Sequence, residues 1–156
     1  MNASPRTVCL GMMAAFLLLA RTSPGGEKVV KTFDDKGSSV QLSKGDLLVV
    51  ELPAQLSTGY NWYPVDDFDA DVLAIKGKEK SESAERIGGK EKVTITAEAI
   101  NEGKTTLRFV YVRPTHVETE DGPPHVKAEV FEKLKKEKTL KDKDLFWIKV
   151  AVTNKG

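Results

Sequence analysis

Residues 92–112, KVTITAEAINEGKTTLRFVYV, decide what kind of molecule this chain makes. From Val93 to Ala99, apolar and polar residues alternate with period two. That places Val93, Ile95, Ala97 and Ala99 on one buried face and leaves the other face wet. Asn101-Glu102-Gly103-Lys104 reads as a turn, after which Leu107, Phe109 and Tyr111 share one face of a second strand. Comparable runs lie on either side. Val29–Phe33 and Val40–Leu42 flank Asp34-Asp35-Lys36-Gly37, and Gly45-Asp46 opens Leu47–Leu52, which Pro53 is expected to stop. Tyr60–Val65 and the short Val72–Ile75, ending at Gly77, follow. Near the C-terminus, Phe146, Ile148, Val150 and Val152 line one face of Leu145–Val152. About seven short strands at regular spacing, with no long helical pattern among them, predict an all-β fold: an antiparallel β-sandwich.

Two segments depart from this rhythm. Residues 76–92, KGKEKSESAERIGGKEK, are polar and charged and read as a loop. Residues 113–144 are far longer than a hairpin connection of about 2–5 residues. Within them Val126, Val130, Phe131 and Leu134 lie at helical spacing, among seven lysines and five acids in residues 126–144. That pattern suits a short amphipathic helix before the last strand. It equally suits a solvated, charged excursion.

The chain has 156 residues, the size of one domain. Behind Arg6, Val8–Ala20 is an apolar run, VCLGMMAAFLLLA. At about 1.5 Å per residue it is too short for roughly 30 Å of hydrocarbon. It does match the apolar core of a secretory signal, typically about 7–15 residues. Residues 1–25 are therefore expected to be a signal peptide, cleaved between Ala20 and Gly26, with 26–156 as the secreted domain. An uncleaved anchor is the alternative. Cys9, the only cysteine, lies in that segment, so the mature domain would have no disulfide, thiol nucleophile or thiolate metal site. Lys plus Arg is 24 against 23 Asp plus Glu, which is not the basic footprint of a nucleic-acid binder.

No residue set assembles a catalytic centre. Ser57 and Thr58 lack a G-x-S-x-G elbow or another base-bearing motif. His116 and His125, with Glu118, Glu120 and Asp121 in HVETEDGPPH, supply ligand types without the spacing of a metal motif. Gly88-Gly89 follows no strand and opens no helix, so it is not a phosphate cradle. The sequence predicts a protein that is not an enzyme and carries no cofactor or metal.

The loops carry more. In a sandwich, three of the connections cluster at one end, and here those would be "LSTGY" (56–60), "RIGGKE" (86–91) and "RPTH" (113–116). Ser57-Thr58 before Gly59 can present two small hydroxyls with backbone close behind. Gly88-Gly89 allows a close backbone approach. Arg113-Pro114 projects a planar cation from a strand end stiffened by proline.

These three loops resemble the inhibitory tripod of the chagasin family, protein inhibitors of papain-like cysteine peptidases. The family's first loop reads N-P-T-T-G-[YF]-x-W, against Gln55-Leu56-Ser57-Thr58-Gly59-Tyr60-Asn61-Trp62. Its second reads G-x-G-G, against Arg86-Ile87-Gly88-Gly89, and its third R-P-W, against Arg113-Pro114-Thr115. GKTTLRFVYVRP, from Gly103 to Pro114, is similar to the family's approach to the third loop. The resemblance spans roughly residues 28–152, apart from an insert at about 116–143. It implies an immunoglobulin-like fold and reversible, non-covalent occlusion of a peptidase cleft by a monomer. The peptidase-binding residues it implies are Ser57, Thr58, Gly59, Tyr60, Ile87, Gly88, Gly89, Arg113, Pro114 and Thr115.

The departures from the family pattern also carry expectations. Gln55 and Leu56 in place of Asn and Pro should loosen the lead-in to the first loop. Arg86 can obstruct close approach of the second loop, and Thr115 removes an aromatic anchor from the third. Tyr60 and Trp62 can both point inward as core supports, and Arg113 can instead pair with an acid of its own domain. Two other classes remain open: a secreted sandwich binding another protein or surface ligand through the insert, and a metal-dependent module using His116 and His125.

Overall fold

The computed structural model describes residues 26–81, 91–120 and 122–154. The expected signal segment, with Cys9, and the second-loop residues Arg86, Ile87, Gly88 and Gly89 lie outside the described residues. Eight strands are formed among the described residues: β1 (Lys28–Thr32), β2 (Ser39–Ser43), β3 (Leu47–Ala54), β4 (Asn61–Pro64), β5 (Leu73–Ser81), β6 (Glu91–Ala99), β7 (Gly103–Val112) and β8 (Leu145–Thr153). One helix, α1 (Ala128–Lys136), precedes β8. The strands form two four-stranded sheets, ordered β1-β3-β6-β5 and β2-β8-β7-β4.

The predicted sandwich is present, and the alternating strands supply its core. Val93, Ile95, Ala97 and Ala99 of β6 face Leu107 and Phe109 of β7 and Phe146, Ile148, Val150 and Val152 of β8 in one buried cluster. Trp62 completes it, with its ring 6.0 Å from Phe33 and its Nε1 donating to the Pro53 carbonyl at 2.7 Å. A buried indole of this kind is worth about 3–5 kcal/mol against alanine. The pairings β3·β6, β5·β6, β4·β7 and β7·β8 are antiparallel. At one edge of each sheet, β1 and β2 run parallel to β3 and β8. The chain crosses to the other sheet for β2 and returns for β3, so β1 and β3 lie side by side running the same way.

Two strand limits differ from those read in the sequence. Pro53 does not end β3, which continues to Ala54 with Pro53 opposite Lys92. β1 ends opposite Glu51, so Pro53 has a strand partner on one side only, where its missing N–H can be tolerated. Much of the loop expected at 76–92 is strand. β5 continues through Gly77 to Ser81, the register shifting between Ile75 and Gly77, and β6 begins at Glu91. The glycine marks a bulge rather than a stop.

The insert forms a third, partial layer. Phe131 and Leu134 of α1 are buried against Tyr63, Val65, Val110 and Val112, on the outer face of the β4–β7–β8 sheet. Val126 joins them and bridges to Val65, its N–H donating to the Pro64 carbonyl at 2.9 Å. Asp66 completes the attachment: its carboxylate accepts the Ala128 N–H at 2.6 Å, serving a helix whose own N-cap residue, Lys127, makes no side-chain cap. Of the two readings of this segment, the amphipathic helix is the one formed. Burial beneath it pushes the Tyr63 hydroxyl above its ordinary pKa.

Candidate functional site

Strand direction sets where the strands flanking the first and third candidate loops end. β3 and β5 end, and β6 begins, at the same end of the first sheet, with Ala54 opposite Glu91 and Ser81 opposite Lys92. In the second sheet Asn61, which opens β4, lies opposite Val112, which closes β7. The connection after β3 meets the ring system that leads into the one after β7. Tyr60 stacks on Tyr111 at 5.6 Å between centroids, and Tyr111 in turn lies 5.2 Å from Trp62. The Arg113 guanidinium sits 5.0 Å from the centre of the Tyr60 ring. An aromatic column thus runs from buried Trp62 to the surface, with a cation on its outer end.

The first loop is a single 3-10 turn, Leu56–Thr58, closed by Gly59 in the left-handed region at φ 77°. A β-carbon added at Gly59 would meet nothing within 4 Å. The backbone therefore favours glycine here, since an L-residue in this conformation costs about 1–2 kcal/mol. Open space, not packing, surrounds it. Ser57, Thr58 and Tyr60 are exposed. The two hydroxyls are not equivalent, contrary to the reading in which both face outward. Thr58 Oγ1 turns back and donates to the Gln55 carbonyl at 2.6 Å, where the Thr58 N–H also donates at 3.1 Å.

The lead-in is held by hydrogen bonds. The Gln55 N–H donates to the Tyr111 hydroxyl at 2.8 Å, and that hydroxyl donates back to the Gln55 carbonyl at 3.1 Å. The Leu56 N–H donates to the Glu91 carboxylate. Proline at 56 would have no N–H to offer, so the residue that departs from the family motif is the one that makes this bond possible. Leu56 also packs its side chain against the main core. Sequence reading missed Gln55, Tyr111 and Glu91 as supports of the loop. Tyr111 carried a signal, because its period-two partners Leu107 and Phe109 place it on the inner face at the loop end. Glu91 carried none: it is 35 residues from the N–H it accepts.

Tyr60 is not a core support. It is 36% exposed, and among the described residues only Val30 joins it as an exposed large hydrophobic side chain. Trp62 alone of the pair is buried. Arg113 pairs with no acid among the described residues; its contact is the Tyr60 ring. Pro114 and Thr115 lie in a short 3-10 turn, Pro114–His116, and are exposed. The two histidines occupy different surroundings. His125 Nε2 lies 3.9 Å from Asp66, whereas His116 borders a groove beside Tyr60 and Arg113. Among the described residues no group of three or more His, Cys, Asp or Glu is arranged to hold a metal ion. No helix among them is long and apolar enough to cross a membrane.

Residues 41–130 match the family described as Chagasin family peptidase inhibitor I42. No curated protein matches the chain. Among solved structures, the fold is similar to the crystal structure of the cysteine protease inhibitor EhICP2 from Entamoeba histolytica. That similarity has a TM-score of 0.56 and 18% identity, over 84% of this chain and 100% of that one. It is also similar to the solution structure of amebosin, with a TM-score of 0.52 and 19% identity over 83% of this chain and 100% of that one. The chain belongs to the chagasin family of peptidase inhibitors, proteins that block an enzyme and are not enzymes themselves.

Proposed function

We propose that the protein is a secreted, reversible inhibitor of papain-like cysteine peptidases that closes the active-site cleft non-covalently with three loops. The observation that carries this reading is the corner Ser57-Thr58-Gly59-Tyr60, exposed at one end of a rigid sandwich and pinned from below through Gln55, Leu56, Tyr111 and Glu91. Pinning matters because a loop already held in shape gives up little conformational freedom when it docks. Gly59 leaves its outer side bare, so a partner's backbone can come close.

In this reading Ser57-Thr58-Gly59 covers the catalytic cysteine and histidine, while Arg113-Pro114-Thr115 and Ile87-Gly88-Gly89 contact the two walls. Tyr60 supplies the exposed aromatic that Thr115 does not, its ring backed by Tyr111 and topped by Arg113. Aromatic and arginine side chains are the residues that most often dominate protein interfaces. Export by a signal in residues 1–25 places the inhibitor where secreted or lysosome-type peptidases act. A new N-terminus between residues 21 and 26 on the exported protein is the expected result of sequencing it.

The test is a titration of active papain with the purified protein, with Thr58→Asp and with Gly59→Glu. Stoichiometric, reversible inhibition is expected from the wild type. A loss of about 100-fold or more is expected from each variant, because each drives a carboxylate into a closed cleft without a partner. A folded wild-type protein that inhibits neither papain nor other papain-like peptidases overturns the proposal.

A further inference from the structure

The insert is polarised by charge. Residues 118–121 contain Glu118, Glu120 and Asp121, whereas residues 133–143 contain six lysines and two acids. Lys133, Lys135 and Lys136 have a structural reason to be there, since cations favour the last turn of a helix. Lys138, Lys141 and Lys143 lie beyond that turn and have no such reason. The chain then runs back along the loop end of the sandwich. There a groove of about 340 Å³ opens, lined by Thr58, Tyr60 and Arg113 from the loops and by Lys141, Lys143 and Asp144 from the insert.

The charge lining this groove is predominantly positive. Lys141, Lys143 and Arg113 are exposed, and none of them forms an ion pair among the described residues. The neighbouring Asp142 is already engaged by Lys36 at 2.7 Å. The Asp144 carboxylate accepts the Lys141 N–H at 3.1 Å. Three cations therefore line the groove beside one carboxylate, a local excess of positive charge in a protein whose total formal charge is only +1.

We propose that this groove receives an acidic strip on the cleft wall of the target peptidase, making residues 139–144 of the insert a fourth contact that selects targets by charge. This rests on the inhibitory reading above and extends it. The groove is continuous with the loops that would enter the cleft, sharing Thr58, Tyr60 and Arg113 with them. A peptidase seated on those loops would bring its nearby wall over Lys141 and Lys143. Complementary charge across such a contact raises the association rate and penalises like-charged partners. Being solvent-exposed, it also weakens as salt rises.

The test compares two papain-like peptidases, one with an acidic and one with a basic isoelectric point, against three forms of the protein. These are the wild type, Lys141→Glu/Lys143→Glu, and Lys28→Glu/Lys104→Glu, which makes the same charge change at the opposite end. All four lysines are exposed, and circular dichroism would confirm that each form is folded. Wild-type inhibition of the acidic peptidase should weaken by about tenfold or more in Lys141→Glu/Lys143→Glu at low salt. The gap should narrow as salt increases, with inhibition of the basic peptidase unchanged or tighter. Lys28→Glu/Lys104→Glu should leave the ratio between the two peptidases as it is in the wild type. If reversal at 141 and 143 leaves that ratio unchanged while the wild type still inhibits, this proposal fails and the inhibitory reading stands. If the folded wild type inhibits neither peptidase, both fail together.

Discussion

Gly59 and Gly103 stand at opposite ends of the sandwich, and the space around them differs. A β-carbon at Gly103 would lie 2.5 Å from Cγ2 of Val72, whereas one at Gly59 would meet nothing within 4 Å. The end at Gly103 is closed by the protein's own chain. There Asp46 is buried, and its carboxylate accepts the N–H groups of Glu27 and Ser43 at 2.9 and 2.7 Å. Gly45 donates to the Ala99 carbonyl, and Ile100 to that of Val72. At the other end the hydrogen bonds of the first loop are directed down into the sandwich, and its upper surface is left bare. Both glycines lie at positive φ, 157° at Gly103 and 77° at Gly59, but only Gly103 is also packed against its own chain. Gly59 holds a backbone shape that faces outward, as a surface built to meet something else requires.

The contrast can be broken by experiment. The largest effect is expected at the open end, where Gly59→Glu should abolish inhibition by about 100-fold or more while reducing stability by only about 1–2 kcal/mol. Gly103→Ala should do the reverse. Overpacking against Val72 should cost about 1–3 kcal/mol in denaturant unfolding, with inhibition per folded molecule unchanged. A Gly103→Ala protein that folds normally but inhibits poorly would collapse the distinction between the ends.

A smaller effect sharpens it. Glu91→Ala removes the acceptor of the Leu56 N–H and should weaken inhibition about tenfold by releasing the lead-in of the first loop. In a Leu56→Pro background the N–H is already gone and the backbone is stiffened, so Glu91→Ala should then have little further effect. Additive losses in that cycle would show that Glu91 acts by some other route.

The smallest effect concerns the insert. Just past the end of α1, Lys138 sits at φ 54°, its N–H donating to the Lys135 carbonyl and that of Thr139 to the Leu134 carbonyl, a geometry that glycine adopts more easily. Lys138→Gly should raise unfolding stability by about 0.5–1 kcal/mol, read as a shift in denaturant midpoint at constant slope. No gain would mean that the lysine stem contributes packing that offsets its strained backbone.

Much of the fold was legible because its signals are local. Period-two alternation in Val93–Ala99 and Phe146–Val152 requires only neighbouring residues to specify a buried face, and it sufficed for a two-layer β structure. S-T-G-Y-x-W was legible as a turn for the same reason, since glycine after a hydroxyl pair has a backbone meaning wherever it occurs. Pro53 and Gly77 were misread as stops because their tolerance depends on which sides of a strand are paired, and pairing is not local. Glu91 could not be seen at all, because the N–H it holds lies on another strand's loop. The insert shows the division most clearly. Helical spacing at Val126, Val130, Phe131 and Leu134 stated that an apolar stripe exists. Only the packed sheet, with Tyr63, Val65, Val110 and Val112 exposed on its outer face until α1 covers them, decided where the stripe goes. An apolar stripe specifies that something must cover it, and what covers it is chosen by the rest of the chain in space.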